Sequence, residues 1–334
     1  MIEFNFIQHL FTILVFSLAT TFLFIEIAFK VKFTDYFLDI PNARSAHTSS
    51  TPRVGGICIY INLLLLTFYF FGFDNEKINI LLVSISLIFF ISVLDDIFRV
   101  FPLLRLGVHC FTAIYFLYFY FMNISLAYLV IFVIIVVSSI NIFNFIDGSD
   151  GFVSGIIAVA MTFFIAHSIN VNNYEVFIIS AIICFSSFAF LLFNFFPAKV
   201  FLGDSGSTLL GLGYSALSII GFEYSLWPSW FPLLLVYPFV LDASITLLIR
   251  IVRREKFWEA HRNHYYQKII LIGFPSYWLA IGAYLTVFFC GILGSFLMQH
   301  NNINFVILSF GSLSVIFLIS FLVLDIKISK NRNL

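Results

Sequence analysis

Two carboxylates stand side by side at Asp95-Asp96, directly after an apolar run. Adjacent carboxylates at a membrane boundary repel each other and are costly to desolvate, so they call for a shared cation or a use as base. A second acidic stretch reads Asn141-Ile-Phe-Asn-Phe-Ile-Asp-Gly-Ser-Asp-Gly151 and holds no basic residue. Asn144, Asp147 and Asp150 recur there every three residues, a spacing that aligns side chains along a helical turn. Oxygen ligands of this kind suit Mg²⁺, which takes a few carboxylates plus substrate phosphate. A third stretch, Phe201-Leu-Gly-Asp-Ser-Gly-Ser-Thr208, sets small residues before a helix. Backbone N–H groups there make an anion cradle, and Asp204 adds a metal ligand or, more plainly, an N-cap.

Basic and imidazole groups supply the complementary charge. Asp39-Ile-Pro-Asn-Ala-Arg-Ser-Ala-His-Thr-Ser-Ser-Thr-Pro-Arg-Val-Gly-Gly56 offers Arg44, His47 and Arg53 as an anion grip, with anchoring to lipid headgroups as the competing reading. Arg250, Arg253, Arg254 and Lys256 precede His261-Arg-Asn-His-Tyr-Tyr-Gln267. His261 and His264 can share a helical face, but the His-Glu-x-x-His protease pattern is absent. Contact of both histidines and Arg262 with phosphate oxygens is the preferred reading. Asp242 lies inside an apolar run eight residues before Arg250, so it must face protein or water and have a partner.

These segments need a scaffold. Of 334 residues 61% are hydrophobic and 10% charged, with mean hydropathy +1.06. A soluble domain carries about 25% charged residues, so lipid is the solvent for most of this surface. Formal net charge is zero, which argues against nucleic-acid binding. The four cysteines sit in apolar runs with no metal or redox spacing.

A span needs roughly 20 apolar residues. That reading gives about eleven: 6–29, 54–73, 78–94, 104–121, 124–140, 152–169, 175–195, 207–222, 229–249, 276–297 and 303–324. The expected fold is an all-α polytopic transmembrane helix bundle of 10–11 spans, one integral membrane domain over residues 1–334. Alternating the spans puts every Lys and Arg except Lys77 on one side, which the positive-inside rule makes cytoplasmic. The chemistry-bearing loops share that side.

In their order along the chain, the Asp95-Asp96 pair, Asn144-Phe-Ile-Asp-Gly-Ser-Asp-Gly151, Phe201-Leu-Gly-Asp-Ser-Gly-Ser207 and the His261 motif resemble the polyprenyl-phosphate N-acetylhexosamine-1-phosphate transferase family, glycosyltransferase family 4. The resemblance spans roughly residues 35–275. It implies a cytoplasmic active-site cleft in a bacterial inner membrane. It also implies Mg²⁺-dependent (or Mn²⁺-dependent) transfer of sugar-1-phosphate from a UDP-N-acetyl sugar to undecaprenyl phosphate, with release of UMP. Asp204 and Asn144 match the metal positions, and Asp95, Asp96, Asp147, His261 and His264 the catalytic ones. Asn42, Arg44, His47, Arg53, Asp150 and Arg262 are assigned to substrate, Asp150 to the uridine.

The family's histidine cluster reads His-x-His-His in common-antigen relatives, whereas Asn263 replaces its middle histidine here. The His-Arg-x-His-x-Tyr-Gln form resembles the O-antigen-initiating branch that handles UDP-FucNAc or UDP-QuiNAc. Phospho-MurNAc-pentapeptide-type and teichoic-acid-type transferases are the alternatives within the family, and a homodimer is allowed. A secondary transporter, the non-enzyme alternative, would place its charges near mid-membrane. A CDP-alcohol phosphotransferase would need Asp-Gly-x-x-Ala-Arg, and an intramembrane aspartyl protease Gly-x-Gly-Asp; neither is present.

Overall fold

Each of the eleven apolar stretches becomes a helix, because in lipid a backbone satisfies its polar groups only within its own helix or a closed barrel. The computed structural model describes residues 5–39, 50–256, 263–300 and 302–332. Among them are α1 (Phe6–Lys30), α2 (Gly55–Phe71), α3 (Glu76–Phe98), α4 (Pro102–Phe121), α5 (Leu126–Ile146), α6 (Phe152–Asn170), α7 (Tyr174–Asn194) and α8 (Gly203–Glu223). They continue with α9 (Trp230–Val252), the short α10 (Tyr265–Leu271), α11 (Ser276–His300) and α12 (Ile303–Arg332). Ten are long and apolar enough to cross a membrane; α2, at 17 residues, is shorter. The chain is a multi-pass, all-α membrane protein.

The chain falls into two compact units, Met1–Leu226 and Trp227–Leu334. In the first, α8 is the central element. It packs against α2, α3 and α5, while α7 packs against α1, α2 and α6. Small residues let these backbones approach closely, which is how transmembrane helices associate when apolar burial cannot drive them. A Cβ on Gly56 at the start of α2 would lie 2.3 Å from the Gly206 nitrogen of α8. Ser139 Oγ of α5 donates to the Gly211 carbonyl at 2.9 Å, and Ser92 of α3 meets Thr208 of α8 at 2.8 Å. In the second unit α9 packs against α11 and α12, and α10 lies against α9, α11 and α12.

Three expectations shift with these boundaries. Asp95 and Asp96 belong to the last turn of α3 rather than to the following loop. The eighth span begins at Gly203, not at 207, so Asp204 sits in the first turn of α8. Asn144, Asp147 and Asp150 do not share a helical turn: α5 ends at Ile146, and Asp147 is its C-cap. Ser149 O accepts the N–H of Phe152 at 3.2 Å and Gly151 takes φ +71°, so the Asp-Gly steps turn the chain back into α6. The first loop also carries a short antiparallel ladder, β1 (Leu38–Asp39) with β2 (Thr51–Pro52), in the register Leu38–Pro52 and Asp39–Thr51.

Candidate active site

At one end of the first unit, the terminus of α3 meets the start of α8. Gly203 takes φ +76°, and a Cβ there would lie 2.9 Å from Asp96 Oδ2, so only glycine allows this approach without strain. The first N–H groups of any helix lack internal partners. Here the Asp96 carboxylate accepts two of them, from Asp204 and Ser205, each at 3.0 Å. Its side chain is fully buried. Asp96 therefore caps the helix that carries Asp204 and fixes where that residue stands. A negative charge at a helix N-terminus is also favoured by the helix dipole.

The ladder comes in from the side. Phe201 N–H donates to Pro52 O at 2.8 Å, Gly55 N–H to Phe201 O at 3.0 Å, and Gly56 N–H to Leu202 O at 2.9 Å. These bonds deliver Arg53, whose Nη2 lies 2.8 Å from Asp39 Oδ1 and whose Nη1 lies 4.0 Å from Asp96 Oδ1. Burial disfavours the Arg53 charge, but Asp39, Asp204 and Asp96 more than offset it and the guanidinium pKa is raised.

Asp95 Oδ1 accepts the N–H of Val100 at 2.7 Å and so shapes the turn into α4. Its cationic partner is Arg105, ten residues on. Arg105 Nη1 pairs with Asp95 Oδ2 and, at 2.9 Å, with Asp204 Oδ2. It thereby ties together carboxylates from α3 and α8. The sequence treats Arg105 only as a member of the basic set. Its signal was positional: a cation in the first turns of a helix opposes the dipole, so something anionic must hold it there.

Asp147 lies within electrostatic reach of Asp204, Asp96, Asp150 and Arg53. Desolvation first, then Asp204 and the other carboxylates, raise its pKa well above the usual carboxylate range. Asn144 is half-buried, one turn back on α5, with its carbonyl accepting the Asp147 N–H at 3.3 Å. Asp150 turns toward another loop: its Oδ2 accepts the N–H of Ala198 at 3.0 Å. Asn194, which sequence reasoning did not single out, completes that joint. Its Oδ1 takes the Gly151 N–H at 3.1 Å and its Nδ2 donates to Val200 O at 3.0 Å. His109, one turn beyond Arg105, is buried and neither ring nitrogen has a hydrogen-bond partner.

Thus Arg53, Asp95, Asp96, Asp147 and Asp204 gather at one place. His264 belongs to the second unit, buried at the N-cap of α10. Asn42, Arg44, His47, His261 and Arg262 lie outside the described residues.

The donor chemistry of the gathered residues fits a hard divalent cation. Asp95, Asp96, Asp147 and Asp204 outnumber the guanidinium groups of Arg53 and Arg105. Among the described residues no three acidic, histidine or cysteine side chains converge in metal-holding geometry as they stand. Arg105 occupies the position between Asp95 and Asp204.

Residues 78–222 match the model of glycosyl transferase family 4. The chain is 32% identical over 240 residues to the undecaprenyl-phosphate alpha-N-acetylglucosaminyl 1-phosphate transferase of Thermotoga maritima, covering 70% of this chain and 74% of that one. It is 24% identical over 292 residues to a probable undecaprenyl-phosphate N-acetylglucosaminyl 1-phosphate transferase of Bacillus subtilis, covering 83% and 81%. The phospho-N-acetylmuramoyl-pentapeptide-transferase of Listeria innocua is 26% identical over 258 residues, covering 68% and 76%.

Proposed function

Because this chain belongs to glycosyl transferase family 4, we propose that it moves an N-acetylhexosamine-1-phosphate from a UDP-sugar onto undecaprenyl phosphate at the cytoplasmic face of a bacterial inner membrane. The observation that carries the reading is the meeting of Asp95, Asp96, Asp147 and Asp204 with Arg53 and Arg105 where four stretches of the chain converge. The lipid-linked product would begin an O-antigen or another cell-envelope polysaccharide.

The physical difficulty is joining a lipid phosphate to a pyrophosphate. Two unit charges 4 Å apart repel by about 4 kcal/mol at an effective dielectric of 20. Mg²⁺, held by Asp204 and Asn144, supplies charge neutralisation when bound. Asp96 keeps Asp204 in place by capping α8. Arg53 and Arg105 offer guanidinium groups to phosphate oxygens, a pairing that suits their planar donor geometry. An oxygen of the lipid phosphate attacks the β-phosphorus of the UDP-sugar in line. A P–O bond forms there, and the bond from that phosphorus to the bridging oxygen breaks, so UMP leaves with the bridging oxygen. Where the lipid phosphate arrives as a monoanion, Asp95 takes its proton. Positioning and charge compensation dominate in this class of reaction. His261, Arg262 and His264 are assigned to phosphate contacts and Asp150 to the uridine.

The donor is a UDP-N-acetyl sugar. The His261-Arg-Asn-His264 pattern favours a 6-deoxy sugar, while the names of the Thermotoga and Bacillus relatives favour N-acetylglucosamine. UMP release with undecaprenyl phosphate and UDP-GlcNAc, UDP-QuiNAc, UDP-FucNAc or UDP-GalNAc decides this. Asp204→Ala is expected to lower the Mg²⁺-dependent rate by at least about a hundredfold. Full activity in that variant would remove the metal assignment. Uptake of substrate into vesicles without UMP formation would favour a transporter instead.

A further inference from the structure

Asp242 occupies the interior of α9, where an ionised side chain is expensive unless partners hold it. It is 6% exposed. Its Oδ1 accepts the N–H of Tyr265 at 2.9 Å and the hydroxyl of Thr246 at 3.1 Å. Its Oδ2 accepts the N–H of Tyr266 at 3.1 Å, and Nδ1 of His264 stands 3.7 Å from Oδ1. A helix as short as α10 does not persist alone in water. Two charge-assisted bonds to its first N–H groups therefore decide where it begins, and with it the direction of its N-cap, His264.

Arg250, eight residues along the same helix and likewise 6% exposed, does the matching work upstream. Its Nε donates to Glu255 Oε2 at 3.0 Å and its Nη2 to the Lys256 carbonyl at 2.7 Å. The far side of Tyr265 is also fixed. Its ring stacks on Phe321 at 3.9 Å, and its hydroxyl donates to Asp325 at 2.9 Å.

We infer that Asp242 is a positioning residue for His264, holding the start of α10, while Arg250 holds Glu255 and Lys256 just beyond α9. The inference rests on the reading of His264 as part of the transfer. Asp242 acts on the substrate only through the histidine.

The test uses the full chain in nanodiscs, with UMP release as the assay. Asp242→Asn preserves volume but gives one of the two N–H donors an amide NH₂ instead of an acceptor. It is expected to lower kcat about tenfold or more, with KM for undecaprenyl phosphate within about twofold. In the double variant with His264→Ala, the rate should equal that of His264→Ala alone within about twofold, because the two residues act as one unit. Multiplicative losses, or wild-type kcat in Asp242→Asn, would overturn the inference. Amide hydrogen exchange gives a readout apart from activity: Tyr265 and Tyr266 should lose protection in the variant, and unchanged protection also overturns it. Should Asp242→Asn not fold, Thr246→Val removes one bond to the carboxylate and is expected to lower kcat about two- to fivefold, again without effect in a His264→Ala background. A wild-type chain that releases no UMP with any UDP-N-acetyl sugar overturns the reaction itself, an outcome separate from those above.

Discussion

Arg105 and Asp147 mark two features of the acidic cluster: Arg105 bridges two of its carboxylates, while burial first and the neighbouring carboxylates second raise the Asp147 pKa. Arg105 joins Asp95 to Asp204, and all three side chains are less than a third exposed. Replacing it by alanine leaves those carboxylates facing each other without a counterion. Arg105→Ala is expected to destabilise the metal-free protein by roughly 1.5–3 kcal/mol, the range for bonds to charged groups. The gain in unfolding temperature on adding Mg²⁺ should then exceed that of the parent chain; an equal or smaller gain would count against Arg105 as the cluster's counterion. Asp147 keeps its proton to a higher pH than an unfolded aspartate, whose pKa is about 3.9. The folded chain thus binds more protons than the unfolded one above that value, so this group's contribution to stability falls as pH rises toward the raised pKa. Asp147→Asn is expected to flatten that decline in thermal unfolding between about pH 4 and pH 8 without divalent ions. An unchanged slope would mean that Asp147 is not the group responsible.

At the scale of elements, the site depends on how closely α2 and α8 approach. Gly56 stands against Gly206, and the backbone bonds that join Pro52, Gly55 and Gly56 to Phe201 and Leu202 lie beside the same contact. A Cβ at 2.3 Å from a backbone nitrogen cannot be absorbed by a side-chain shift. Gly56→Ala is expected to cost about 1–3 kcal/mol by overpacking and to lower activity by displacing Arg53 relative to Asp96. Thermal unfolding in detergent beside UMP release measures both; parent-like values for each would show that the approach is not needed. Asp96 and Asp242 solve one problem twice. Each projects from a long apolar helix and accepts two successive N–H groups of another helix, Asp204 and Ser205 in one case, Tyr265 and Tyr266 in the other. Asp96→Ala is expected to cost about 1–2 kcal/mol, as for a lost N-cap.

For the molecule as a whole, the excess of basic residues at alternate helix ends sets the expected orientation. α3 runs from Glu76 to Phe98, so Asp74 and Arg99 flank opposite ends of it. In a background with the native cysteines replaced by alanine, Asp74→Cys should react with a membrane-impermeant maleimide in intact cells, and Arg99→Cys only after permeabilisation. The reverse pattern would invert the assigned sidedness. The sequence alone was enough for the all-α membrane architecture and all eleven apolar helices, because lipid leaves a spanning backbone few options and hydropathy reports the solvent directly. It was also enough to nominate Asp95, Asp96, Asp147, Asp204 and Arg53, since charge beside an apolar run is costly without a purpose. What it did not decide was which atoms meet. That Asp96 serves as a cap, that Arg105 ties α3 to α8, that Asp150 holds the turn at Ala198, and that Asp242 sits beside His264 are outcomes of long-range packing. Hydrogen bonds and ion pairs act over a few ångströms, and only the folded helices bring residues a hundred positions apart within that range.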